Sequence, residues 1–96
     1  MKPSIALERN REAIHRIVAS NRGTNPRVFG SVLHGTDHDG SDLDLLVDPL
    51  PGASLFDFGG MQHELEQLLG VNIDLCTPNE ISRFFRDKVV AEARPI

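Results

Sequence analysis

Asp42 and Asp44 are one residue apart in Ser41-Asp42-Leu43-Asp44-Leu45-Leu46-Val47, twelve residues after the pair Gly30-Ser31. A third aspartate, Asp74, sits in Val71-Asn72-Ile73-Asp74-Leu75-Cys76. Side chains of an extended strand alternate between faces, so Asp42 and Asp44 point one way and Leu43, Leu45 and Val47 the other. The second segment splits likewise, with Val71, Ile73 and Leu75 on one side and Asp74 on the opposite one. Two such strands laid side by side, apolar faces down, gather three carboxylates on one surface. Like charges at that density repel unless a cation sits among them, and carboxylate oxygens are ligands of hard divalent metals. The chemistry indicated is the handling of metal-bound phosphates. Gly30 permits close backbone approach to a ligand. Ser31 offers a hydroxyl and a backbone N–H at the start of a helical turn, where a phosphate oxygen is favoured.

The elements that must position these groups are three helices and three main strands. A first helix is expected from a cap at Ser4 to a stop at Gly23, with Leu7, Ile14, Ile17 and Val18 at helical spacing. Arg27-Val28-Phe29 reads as a short strand entering Gly30-Ser31, followed by a turn region over residues 32–40. In that turn Asp37 and Asp39 read as solvated. The strand from Leu43 to Asp48 ends at Pro49-Leu50-Pro51. A second helix begins at Ser54, paired with Asp57 in a capping box, shows an apolar stripe of Phe58, Met61, Leu65 and Leu68, and closes at Gly70. The strand from Val71 to Cys76 follows. Thr77-Pro78-Asn79-Glu80 opens a last helix that turns Ile81, Phe84, Phe85 and Val89 to the core. Strand, helix and strand in this order imply a right-handed crossover, with residues 71–76 parallel and adjacent to 43–48. The expected fold class is α/β (α+β), a small mixed sheet with helices packed on one side.

Composition narrows the function. Ninety-six residues, 40% apolar and 25% charged, suit a single globular domain spanning residues 1–96. Of 14 acids, five (Asp37, Asp39, Asp42, Asp44 and Asp48) fall within residues 37–48, which hold no Lys or Arg; elsewhere nine acids face ten bases. The charge is one acidic focus on a nearly neutral background, which argues against direct nucleic-acid binding. No stretch reaches the ~20 apolar residues of a membrane span, and the N-terminus lacks the apolar run of a signal peptide. One cysteine, Cys76, fits a reducing interior, so a cytoplasmic address is expected. Part of an EF-hand spacing in residues 37–48 fails, because Asp42 takes its obligatory glycine position and Pro49 follows instead of a helix.

Gly30-Ser31, Gly35 and the run Ser41 to Val47 together resemble the signature of the DNA polymerase beta nucleotidyltransferase superfamily. The branch most similar is the minimal nucleotidyltransferases, antitoxin partners of HEPN-domain toxins. The likeness spans nearly the whole chain, including Asp74-Leu75-Cys76-Thr77 and Ala91-Glu92-Ala93. It implies a polymerase-beta-like nucleotidyltransferase fold, with ATP as substrate and two Mg2+ ions as cofactors. By the same resemblance Asp42 and Asp44 hold both ions, Asp74 holds the one that activates the acceptor hydroxyl, and Gly30 and Ser31 bind the outgoing phosphates. The reaction implied is in-line displacement at the α-phosphorus with release of pyrophosphate. The acceptor implied is a tyrosine of a cognate HEPN ribonuclease toxin, neutralised by adenylylation. One departure bears on activity: the family usually carries arginines after the Gly-Ser pair, where this chain has Val32 and His34. His34 and Arg27 are the nearby cations left to compensate. The alternative is an antitoxin that neutralises its toxin by binding alone.

Overall fold

Alternating apolar residues in one segment organise the centre of the molecule. In the computed structural model, which describes residues 1–96, that segment is β2 (Leu43–Pro49). It is an inner strand of a four-stranded sheet of order β3-β2-β1-β4, with β1 at Gly23–Phe29, β3 at Ile73–Cys76 and β4 at Arg94–Pro95. β1 runs antiparallel to both β2 and β4, whereas β2 and β3 are parallel, so the sheet is mixed. The expected crossover supplies the parallel pair: α4 (Leu55–Leu69) leads from β2 back to β3.

Leu43, Leu45, Val47 and Ile73 share one face and are buried with Ile14 and Val18 of α2 (Arg11–Ser20) and with Met61 and Leu65 of α4. Ala6 and Leu7 of α1 (Pro3–Arg9) complete this layer. Leu46 has the opposite parity yet is fully buried, because a 3-10 turn, η1 (Pro78–Glu80), packs on β2 from the other side. No helix is long and apolar enough to cross a membrane.

Several expectations change in the structure. The first helix is two: α1 ends at Arg9 and α2 begins at Arg11, hinged at Asn10, whose side-chain amide donates to the Ala6 carbonyl at 2.8 Å. An asparagine that bonds its own backbone competes with helix propagation. Ser4 is not the cap; its backbone N–H, inside α1, donates to Asp37 Oδ2 at 2.9 Å. Asp37 is therefore buried rather than solvated, and this bond holds its carboxyl below the usual range. Asp39 does stay exposed, paired with the chain's own amino terminus at 2.8 Å. Gly23 opens β1 instead of stopping a helix; a Cβ there would lie 2.7 Å from Met61 Cε and 2.8 Å from Val47 Cγ1.

The second helix forms as expected, with the Ser54–Asp57 capping box and Gly70 at φ 67°. Its buried row is Met61, Leu65 and Leu69, spaced by four residues, and Leu68 is 39% exposed. The last helix does not run on from Thr77. The Thr77–Glu80 box caps only η1, and a separate helix α5 (Arg86–Glu92) follows a turn. Arg86 Nη2 donates to the carbonyls of Asn79 (3.3 Å) and Ile81 (3.0 Å), strapping that turn to η1. Phe84 and Phe85 consequently face solvent, at 79% and 62% exposure, rather than the core. β4 is an additional strand, continued by Ile96, whose N–H donates to the Pro26 carbonyl at 3.1 Å.

Candidate active site

Strand register determines which carboxylates meet. Leu43 pairs with Ile73, Asp44 with Asp74 and Leu45 with Leu75, so Asp44 and Asp74 stand side by side on the face turned away from the helical core. Neighbouring strands are about 4.8 Å apart, which brings the two carboxyl groups into direct contact. The Asp44 carboxyl is pushed up to about 6, first by burial, then by a hydrogen bond with Asp74 and by the negative charges of Asp74 and Asp42. Burial and the neighbouring negative charges both favour the protonated form, so this carboxyl keeps its proton to a higher pH than an ordinary aspartate does.

Asp42 precedes the start of β2 and acts on Asp44 through its charge. No three His, Cys, Asp or Glu side chains are grouped to hold a metal ion jointly, so what is assembled is a pair with a third acid beside it. The donor chemistry of these residues suits a hard divalent cation: all are carboxylate oxygens, and their mutual repulsion is relieved by positive charge.

Gly30 sits against this pair. Its φ is +70°, and a Cβ at this position would collide with the Asp44 carboxylate oxygen Oδ2. Only glycine meets both demands. It opens α3 (Gly30–His34), and Ser31 follows within the same turn, its carbonyl accepting from Thr36 N–H at 2.9 Å. α3 has only five residues, so the dipole it presents to an anion is shorter than a full helix would give.

The cations expected to compensate for the missing arginines are engaged elsewhere. Arg27 is buried and forms an ion pair with Asp48. His34 Nε2 is 3.6 Å from Glu92 Oε2 on α5, and Val32 packs on the apolar core.

Cys76, which in the sequence bore only on the redox setting, belongs to this site. Two residues beyond Asp74, it shares the carboxylate face, and its Sγ lies 3.7 Å from Asp74 Oδ1. Burial and the charges of Asp74 and Glu80 push the thiol up to about 11, so it is a neutral S–H. The same period of two that exposed the Asp42/Asp44 relation would have placed it.

Comparison with known proteins gives a consistent result. A family model for the nucleotidyltransferase domain matches residues 11–96. A candidate protein adenylyltransferase of Methanocaldococcus jannaschii is 36% identical over 66 residues, 69% of this chain and 71% of that protein. Two further relatives match over 66% of their own length. Among solved structures, a candidate minimal nucleotidyltransferase is 36% identical, with a TM-score of 0.87 over 97% of this chain and 95% of that one. A toxin–antitoxin structure with AMP-PNP shares the fold at 23% identity, with a TM-score of 0.74 over 90% of this chain and 71% of that one.

Proposed function

This chain belongs to the nucleotidyltransferase domain family, and from that premise we propose that residues 1–96 act as one minimal domain. It moves AMP from ATP to a protein hydroxyl, a tyrosine of a cognate HEPN ribonuclease toxin, and so acts as the antitoxin. The observation that carries this reading is the in-register contact of Asp44 with Asp74 beneath the Gly30 backbone. The M. jannaschii relative, named for protein adenylylation, and the likeness in fold to a toxin–antitoxin structure with AMP-PNP support it.

Asp42 and Asp44 would hold two Mg2+ ions, with Asp74 sharing the one nearer the acceptor. When bound, these ions supply neutralisation of the triphosphate and a lowered pKa for the acceptor hydroxyl. Gly30 and Ser31 keep backbone next to the carboxylates, so that triphosphate oxygens meet N–H groups there. The acceptor oxygen bonds to the α-phosphorus, its proton passes to solvent, and the bond to the bridging oxygen breaks as pyrophosphate leaves. Little covalent chemistry falls to the protein, whose part is positioning and charge.

A binding-only antitoxin is the second reading, favoured by the engagement of Arg27 and His34 with Asp48 and Glu92. The two are separated by incubating the protein with its toxin, labelled ATP and Mg2+. Label transferred to the toxin, lost with Asp42→Asn, is expected. Toxin neutralisation with no label transferred would establish the second reading instead.

A further inference from the structure

The segment that delivers Asp42 to the site, residues 35–41 between α3 and β2, has little of its own to hold it. Its internal hydrogen bonds are local. Thr36 N–H donates to the Ser31 carbonyl, His38 N–H to Ser41 Oγ and Ser41 N–H to the His38 carbonyl, each at 2.9 Å. Of residues 34–42 only Asp37 is buried. Segments with so few buried contacts open readily. Asp42 itself is exposed, so its place depends on the backbone that carries it.

Asp37 is the exception, and what it meets is a fixed body. Its Oδ2 accepts from Ser4 N–H in α1 at 2.9 Å, across 33 residues of sequence. α1 is located without the segment's help: Pro3, Ala6 and Leu7 are buried, and Ala6 and Leu7 belong to the main core. The other polar tie from the segment to a distant part of the chain is the ion pair of Asp39 with the amino terminus. There the Asp39 side chain is 83% exposed, and exposed pairs contribute little.

We infer that Asp37 is a positioning residue for the metal site: by fixing the middle of this segment to α1, it holds Asp42 beside the Asp44–Asp74 pair. The bond joins an anchored helix to an unanchored segment, so the segment is what it orders. A carboxylate accepting from a backbone N–H makes a stronger restraint than a neutral acceptor does. Residues that stand behind a metal ligand and fix its orientation commonly govern metal affinity tenfold or more. With Oδ2 committed to Ser4, Asp37 acts through Asp42 rather than on the ion. This inference rests on the proposed metal-dependent transfer and adds the residue that keeps its site assembled.

The test is Mn2+ binding to the full chain, followed by electron paramagnetic resonance without nucleotide, alongside the Mg2+ concentration that gives half-maximal transfer. Asp37→Ala is expected to weaken Mn2+ binding about tenfold and to raise the half-maximal Mg2+ by a similar factor. Asp37→Asn keeps an oxygen that can accept from Ser4 N–H and should stay within about threefold of wild type. Ala6→Gly is the structural control. It weakens α1 and should lower Tm by about 4–8 °C, yet leave Mn2+ affinity unchanged because the Ser4–Asp37 bond is intact. Should Asp37→Ala fail to fold, Asp37→Ser, whose oxygen falls one bond short, takes its place. Wild-type Mn2+ affinity in the folded Asp37 variant would overturn the inference and leave the proposed function standing. Equal losses in Asp37→Ala and Ala6→Gly would overturn it too, making Asp37 a helix cap and nothing more. An equal loss in Asp37→Asn would do the same by assigning the effect to charge. A wild type that neither binds Mn2+ nor transfers AMP would overturn the proposed function as well.

Discussion

The two ends of β2 carry aspartates of equal parity in opposite electrostatic circumstances. At the far end Asp48 accepts from Arg27 Nη2 and from Asn25 Nδ2, the latter at 3.1 Å. Arg27 is 8% exposed and Asp48 is partly open to water, and their opposite charges are balanced within the fold. At the near end Asp44 meets Asp74 and Asp42, both acids, and its carboxyl rises to about 6. One strand thus holds a carboxylate satisfied by its own chain and another that is not. Natural folds seldom keep like charges half-buried together without a use for them, and such perturbed groups cluster at functional sites. The contrast marks Asp48 as a structural acid and Asp44 as the candidate for a working one on physical grounds, without recourse to the family.

That contrast makes a paired prediction, and its first half is the largest effect expected. Asp44→Asn removes an oxygen ligand and the charge it carries, and AMP transfer should fall about 1,000-fold or more. Its thermal stability should hold or rise, because the substitution also removes repulsion. Asp48→Asn should do the reverse. Transfer persists within a few-fold, while the unpaired Arg27 guanidinium costs about 2–3 kcal/mol in urea denaturation. If Asp48→Asn abolished transfer in a folded protein, or Asp44→Asn spared it, the division between the two ends would fail.

Glycines sharpen the same comparison. Gly30 and Gly70 have nearly equal positive φ, +70° and +67°, but only at Gly30 would a Cβ meet another group, and that group is Asp44. Backbone strain alone costs about 1 kcal/mol for alanine in this region. Gly70→Ala should therefore lose about that much stability and keep its transfer rate. Gly30→Ala should lose about 1–3 kcal/mol and at least tenfold in transfer, since the carboxylate must move. Equal transfer by both variants would show that Asp44 tolerates displacement.

How much of this was visible in the chain differs by element. That Asp44 and Asp74 share one face of neighbouring parallel strands followed from local parity plus the strand–helix–strand crossover, both strong backbone rules; the register that sets them side by side came from the structure. The Ser54–Asp57 cap and the stop at Gly70 were equally readable, because caps are made of nearby residues. What depended on distant contacts was not. Helical spacing continues straight through Asn10, and nothing near Ser4 reveals that its N–H is met by Asp37, 33 residues away. Asp48 showed the same parity as Asp44, yet its neutralisation by Arg27 depends on the β1–β2 pairing. Phe84 and Phe85 are apolar and so were assigned to the core. Their exposure depends on Arg86 holding the preceding turn out of helix.

The smallest effect expected is a pH dependence that belongs to one end of β2 only. Asp44 has a folded value of about 6 against an ordinary 3.8, so between these values the folded chain binds more protons than the unfolded one. Stability from this group is therefore complete below about pH 4 and is lost as pH rises through 6. The shift alone would be worth more, but screening at this half-exposed site reduces it to about 1 kcal/mol, or about 4–8 °C in Tm. Asp37 and Asp39, whose values are lowered, contribute the opposite slope, so the useful quantity is the difference between wild type and Asp44→Asn. In chelator, the variant should gain on wild type as pH rises from 4.5 to 7.5. Mg2+ should close that gap at pH 7.5 by stabilising only the wild type, and do little at pH 4.5, where the carboxyl is protonated. A gap that did not change with pH would mean that Asp44 is already balanced in the free protein, as Asp48 is.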